Sequence, residues 1–206
     1  MSVSPRRARE IARTRQDILE AAARAFVQSG FRAATMQDIA REAGYTAASL
    51  YGYFSSKEEI LRELHALVME ELSATYTAPF PAGLSLRQKL EIQMRRHLEV
   101  AKRRFDLFAL FHTGLSELSC PVSVGGDSLF GKKVELFARF IEEHRGDEDL
   151  GGRTPREVAL AITGISYAFF VDLMQRGAPI RGDQLPVVMD LIFHGLSRPS
   201  GEPAEG

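Results

Sequence analysis

Apolar positions recur at helical spacing along nearly the whole chain. Ile18, Leu19, Ala22, Ala25 and Phe26 fall at i, i+1, i+4, i+7 and i+8. They form one stripe of a helix predicted from about residue 9 to near Gly30. Two short helices follow inside TMQDIAREAGYTAASLYGYF, residues 35–54. A fourth is predicted over 57–78, where Ser56 is placed as N-cap and Glu59 completes a capping box. The segment PFPAG then breaks the chain, and the spacing predicts helices near 84–103, 105–118, 128–145, 155–176 and 183–197. Thr154, Pro155 and Glu157 mark a start by cap, first-position proline and third-position acid. CPVSVGG and RGDEDLGGRTP punctuate as loops, and the tail 198–206 is expected to be disordered. No alternating strand pattern and no internal repeat is found. The expected fold is all-α, with about nine helices.

Within residues 35–54 the details are more specific. Thr35 is placed to cap a helix and Asp38 to answer it three residues on. Met36, Ile39 and Ala40 face inward. Ala40 and Gly44 are small enough for a close helix crossing, and Gly44 supplies the positive φ that the turn needs. Thr46 caps the second helix, which turns Leu50 and Phe54 back into the core. Its outward positions are Ala47, Ala48, Ser49, Gly52 and Tyr53, with Tyr51 toward one edge. Small residues let a helix start approach a surface closely. Flanking tyrosine hydroxyls reach phosphate oxygens, and helix N-termini favour anions. A recognition helix in a major groove has these needs.

Charge adds to this picture. The chain is near neutral, but residues 1–57 hold nine Lys/Arg against five Asp/Glu, and the remainder is acidic. Arg6, Arg7, Arg9, Arg13 and Arg15 crowd the start, so residues 1–10 are expected as a flexible basic arm for a polyanion. The single cysteine, Cys120, excludes an intramolecular disulfide framework and a thiolate zinc site, and is read as a small buried hydrophobe. The N-terminus lacks the apolar core of a signal peptide. The longest uncharged apolar run, residues 158–171, is too short to span a bilayer comfortably and is expected as a buried helix. A cytoplasmic, soluble protein without a membrane partner is expected.

At TMQDIAREAG, SLYGYF and SSKEEIL, preceded by ILEAAARAFVQSGF, the sequence resembles the TetR family of one-component transcriptional repressors. The resemblance covers residues 11 to about 61. Beyond them it rests on the order and length of the helices. It implies an N-terminal three-helix DNA-binding domain over 11–61 and a ligand-binding and dimerisation domain over 62–197. It further implies a homodimer on a palindromic operator, released when a small molecule fills a C-terminal pocket. By resemblance, Thr35 is a phosphate contact. Thr46, Ala47, Ala48 and Ser49 are the base-facing start of the recognition helix. Tyr51 and Tyr53 clamp the DNA backbone, and Lys57 binds phosphate. Tyr45 stands where the family has a small aliphatic, and Ala48 where glycine is common. Tyr45 either packs between helices or reaches phosphate; both remain open.

Residues 158–171 and 185–196 carry more apolar surface than one chain's side needs to bury, so the last two helices are expected to dimerise, with Gly164 and Ala168 permitting close crossing. For the effector, Phe105, Phe108 and Phe111 recur every three residues with His112 beside them, and Phe130, Phe137 and Phe140 could face them. Part of this cluster, with His112 and Tyr167 as polar contacts, is expected to line an apolar cavity. The five histidines show no i, i+3 or i+4 pairing, and no nucleophile or phosphate-loop signature is present. Glu142, Glu143 and His144 are expected as a solvated helix end. Neither metal, cofactor nor enzymatic activity is expected. The alternative to a DNA-binding regulator is a helical sensing or protein-binding module without DNA affinity.

Overall fold

The computed structural model describes residues 4–113, 129–178 and 185–194. Among them all regular structure is helical: α1 (Pro5–Ala33), α2 (Met36–Ala43), α3 (Ala47–Tyr51), α4 (Lys57–Thr77), α5 (Leu86–Arg103), α6 (Phe105–Thr113), α7 (Leu129–His144), α8 (Pro155–Gln175) and α9 (Leu185–His194). The helical expectations for 114–118 and 195–197, the loop carrying Cys120 and the tail 198–206 lie outside the described residues.

α1 starts earlier than the apolar stripe predicts. Ser4 accepts from the Arg7 N–H, Pro5 takes the first position, and Arg6 pairs with Glu10 one turn on. Cap and i,i+4 pair extend the helix back through residues 5–10, where an arm was expected. At its other end Gly30 breaks the helix with φ 75 and ψ 153, a conformation that glycine adopts without strain. All five predicted stripe residues are buried.

The chain divides into two compact units, as far as their segments are described: Met1–Glu71 with Arg104–Leu129, and Leu72–Arg103 with Phe130–Gly206. In the first, α2 and α6 pack on α1. Its fully buried side chains include Ile18, Phe26, Ile39, Leu50, Phe54 and Ile60. Phe111 meets His65 edge-on at 5.4 Å, and Arg104 pairs with Glu71. The division thus falls within α4, later than residue 61, because the middle of α4 and α6 belong with the N-terminal helices.

The second unit is built from the end of α4 with α5, α7, α8 and α9 around Leu90, Phe137, Phe140, Ile141 and Ile162. Thr154 and Glu157 form the predicted capping box of α8. That helix is not the buried one expected from 158–171. It runs for 21 residues, is long and apolar enough to cross a membrane by length and composition, and has only 22% of its most apolar window buried. Adding the flanking turns lengthens the apolar stretch, and the unit covers one side of it only.

Candidate nucleic-acid interface

Short-range hydrogen bonds build the helix-turn-helix. Thr35 Oγ1 accepts from the Asp38 N–H at 3.1 Å, and the Asp38 carboxylate accepts from the Thr35 N–H at 3.1 Å and its hydroxyl at 2.6 Å. These bonds, with the Arg41 guanidinium at 2.6 Å, hold the Asp38 carboxyl below its ordinary pKa. Met36, Ile39 and Ala40 are buried. Gly44 ends α2 in the left-handed region at φ 75, ψ 24. A Cβ there would meet nothing within 4 Å, so the turn needs glycine for backbone angle and not for space. That corrects half of the crossing expectation: Ala40 is packed, whereas Gly44 is exposed.

Thr46 caps α3, accepting from the Ser49 N–H at 3.1 Å, and the two hydroxyls meet at 2.9 Å. Leu50 and Phe54 are buried at 0% and 1% exposure. That leaves Thr46, Ala48 and Ser49 exposed at the start of α3, with Ala47 half-buried. Tyr51 is 57% exposed, while Tyr53 and Tyr45 are half-buried. Thr35 is exposed at the start of α2.

Lys57, expected by resemblance to bind phosphate, is engaged within the protein. Its ammonium donates to the carbonyls of Phe31, Arg32 and Ala34 at 2.8, 3.0 and 2.9 Å, and stands 4.8 Å from the Phe31 ring centroid. The break at Gly30 leaves carbonyls without intrahelical partners, and the lysine satisfies them. The start of α4 is also shifted from expectation. Glu59 N–H donates to Ser56 Oγ, but its carboxylate reaches back to Ser55 N–H and Oγ, both at 2.6 Å. Those bonds lower the Glu59 pKa.

Arg15 carries a role its place in a basic run hides. It donates to the Tyr53 carbonyl at 2.5 Å, pairs with Glu63, and lies 4.1 Å from the Phe54 ring centroid. It therefore fixes the exit from α3 to α1 and α4. Arg24 pairs with Glu42 at 2.8 Å and ties α2 to α1. Sequence spacing offers no signal for either contact.

The proposed effector residues divide between the units. Phe108 and Phe111 are buried and Phe105 half-buried on α6, in the first unit; His112 lies on α6, its side chain outside the described residues. Phe137 is buried and Tyr167 half-buried in the second unit, where Tyr167 meets Phe130 edge-on at 5.9 Å. The second unit also holds an aromatic cluster that the triplet did not signal. Tyr76 packs edge-on to His97, Phe137 and Phe140 at 5.0, 5.8 and 5.7 Å. His144, expected in a solvated end, instead stacks on Phe140 at 4.3 Å. The available signal was polar Gln93 and His97 on the otherwise apolar stripe of α5.

A capped helix, a left-handed glycine and a five-residue helix with a bare, exposed start define a helix-turn-helix. The family model for bacterial regulatory proteins of the tetR family matches residues 18–64. The HTH-type transcriptional repressor KstR2 of Rhodococcus jostii (strain RHA1) is 31% identical over 152 residues, covering 63% of this chain and 74% of that protein. The chain belongs to the TetR family of transcriptional regulators. The HTH-type transcriptional regulator AcrR of Shigella flexneri is 32% identical over 108 residues, half of each chain. Among solved structures, the fatty acid degradation regulator FadR from Bacillus halodurans shares the fold at a TM-score of 0.76 and 18% identity, covering 95% of this chain and 98% of that one. FadR from Bacillus subtilis in complex with stearoyl-CoA matches at 0.68 and 17%, covering 88% and 99%.

Proposed function

We propose that this protein is a ligand-responsive repressor that binds a palindromic operator as a homodimer and releases it when a small hydrophobic effector binds. The observation that carries this reading is the capped, exposed start of α3, where Thr46, Ala48 and Ser49 stand clear beside a Tyr51 that is 57% exposed. No long side chain holds that end away from a groove. Thr46, Ala47, Ala48 and Ser49 are assigned to base edges; Thr35, Tyr51 and Tyr53 to phosphates. With few long polar groups on α3, shape readout contributes to specificity. Lys57 acts on the duplex through the end of α1 that it holds. An operator partner puts the protein in the cytoplasm.

The dimer is assigned to α8 and α9. Leu160, Val187 and Phe193 are 44%, 49% and 37% exposed, and a Cβ at Gly164 would meet nothing within 4 Å. The exposed apolar faces of two adjacent helices suit a two-fold four-helix bundle, and we assign them to a partner subunit rather than to lipid. For the effector, the acyl ligand of the Bacillus subtilis FadR complex supports a molecule with a long apolar part. Phe137 and Tyr167, in the second unit, are its proposed contacts.

The test is duplex binding. Affinity for random-sequence duplex is expected to be measurable at low salt and to fall linearly on a log–log scale as salt rises. Tyr51→Ala is expected to weaken capture with the fold retained. A folded protein indifferent to duplex at low salt would reject the repressor reading and leave a sensing or protein-binding module.

A further inference from the structure

A chain of hydrogen bonds runs from α4 into the interior of the second unit. The Thr75 hydroxyl donates to the Leu72 carbonyl at 2.6 Å, so its oxygen is left to accept. The Gln93 side chain on α5, 0% exposed, meets that oxygen at 2.7 Å and must turn its amide nitrogen toward it. The same nitrogen faces Nε2 of His97, one turn on and 7% exposed, at 3.1 Å. Burial is the main cause that holds the His97 pKa well below its ordinary 6.5, so the ring is neutral at neutral pH. Its Nε2 therefore accepts, and its proton sits on Nδ1. One threonine hydroxyl thus fixes an amide orientation and a histidine tautomer.

The chain leaves two atoms open. Among the described residues, neither Gln93 Oε1 nor His97 Nδ1 has a hydrogen-bond partner, and both atoms are buried. One is a bare acceptor and the other a bare donor, on successive turns of α5. Buried polar atoms are almost always paired, and each one left open opposes folding. Two such atoms on neighbouring turns are complementary to a group from outside the chain. The walls beside them are aromatic. The His97 ring meets Tyr76 edge-on at 5.0 Å and Phe137 at 4.8 Å, and Tyr76 meets Phe140 at 5.7 Å. Apolar walls with a few fixed polar atoms are the make-up of a small-molecule site. A carboxylate brings acceptors only and leaves Gln93 Oε1 unsatisfied, whereas an uncharged head with an acceptor and a donor satisfies both atoms.

We propose that His97 Nδ1–H and Gln93 Oε1 bind the uncharged head of an amphipathic effector, a carboxamide or hydroxyl that accepts from the first and donates to the second, while its apolar body lies against Phe137. Thr75 is a positioning residue that orients the Gln93 amide and, through it, the histidine proton. The assignment rests on the effector-binding role proposed above and adds the chemistry of the head.

Full-length protein, wild type and Gln93→Leu, is titrated with dodecanamide, methyl dodecanoate and dodecanoate by displacement of an apolar fluorescent dye. Wild type is expected to bind dodecanamide at least about tenfold more tightly than the other two, which leave Gln93 Oε1 without a donor. Gln93→Leu, close in size and lacking that acceptor, is expected to lose the preference for amide over ester while binding the ester within about twofold of wild type. In wild type labelled with ¹⁵N-histidine, His97 is expected to carry its proton on Nδ1, and that resonance to move when dodecanamide saturates the protein. Both readings are independent of any variant's folding. Thr75→Val is expected to admit the Nε2–H tautomer, a change that a packing role would not produce; a ring that keeps Nδ1–H removes Thr75 from the site. An Nε2–H tautomer in wild type, or an Nδ1 resonance that dodecanamide leaves in place, overturns the head-group site. Equal binding of amide and ester, tighter binding of dodecanoate, or a preference that survives in Gln93→Leu does the same, and each leaves the hydrophobic effector standing. Failure of all three molecules to bind overturns the head-group site and the hydrophobic-effector role together.

Discussion

Gly44, Asp38 and Lys133 show how a single residue is held by one physical constraint each. At Gly44 there is room for a side chain, but φ is 75. Gly44→Ala is expected to cost about 1–2 kcal/mol from left-handed strain, read as a lower urea midpoint at unchanged slope. Asp38 and Lys133 both make stability rise with pH, the first by a favourable charge gained and the second by an unfavourable one lost. The folded Asp38 pKa lies below its ordinary 3.8. Its contribution is therefore complete above that value and lost as pH falls through the lower folded pKa; Asp38→Asn should flatten this acid limb. The folded Lys133 pKa, about 8, also lies below its ordinary 10.5. For a cation this opposes folding: the cost is full below about pH 8 and fades as pH rises toward 10.5. Lys133→Met is accordingly expected to raise Tm at pH 7, with the difference from wild type shrinking across that window.

At the scale of the element, α3 has only five residues. A helix that short is not stable by propensity, so cap and core contacts maintain it. Leu50 and Phe54 pack beneath it, Thr46 closes its start, and Arg15 grips the Tyr53 carbonyl beyond its end. Lys57 similarly organises the end of α1. Its two possible roles separate in one experiment. As a cap, Lys57→Met should lower the stability of the fold by about 1–2 kcal/mol and weaken duplex binding at an unchanged salt slope. As a direct phosphate contact it would instead reduce that slope by about 1. The capping geometry favours the first outcome.

At the scale of the whole molecule, the exposed faces of α8 and α9 make the strongest demand. Light scattering at micromolar concentration is expected to give twice the chain mass. Leu160→Glu combined with Val187→Glu should yield a monomer that keeps its helicity by circular dichroism. Operator affinity should then fall by about two orders of magnitude or more, because the second half-site loses its tethered partner. A wild-type monomer with full operator affinity would remove the dimer from the mechanism.

Much of the fold was legible because it depends on contacts within a helical turn or two. The caps at Thr35, Thr46 and Thr154, the stripe of α1, the break at Gly30 and the burial of Leu50 and Phe54 follow from spacing and side-chain chemistry. Pattern alone also located the bare start of α3. What it did not determine involves partners far apart in sequence. Lys57 meets carbonyls more than twenty residues away, and Arg15 meets Tyr53 and Glu63. The same holds for the association of α6 with α1, and for the meeting of Thr75, Gln93 and His97. Helical periodicity states which face of a helix is apolar, but not which other face it will meet. Only tertiary packing decided that a lysine expected to face phosphate would hold a helix end, and that a histidine on α5 would be enclosed among aromatic rings.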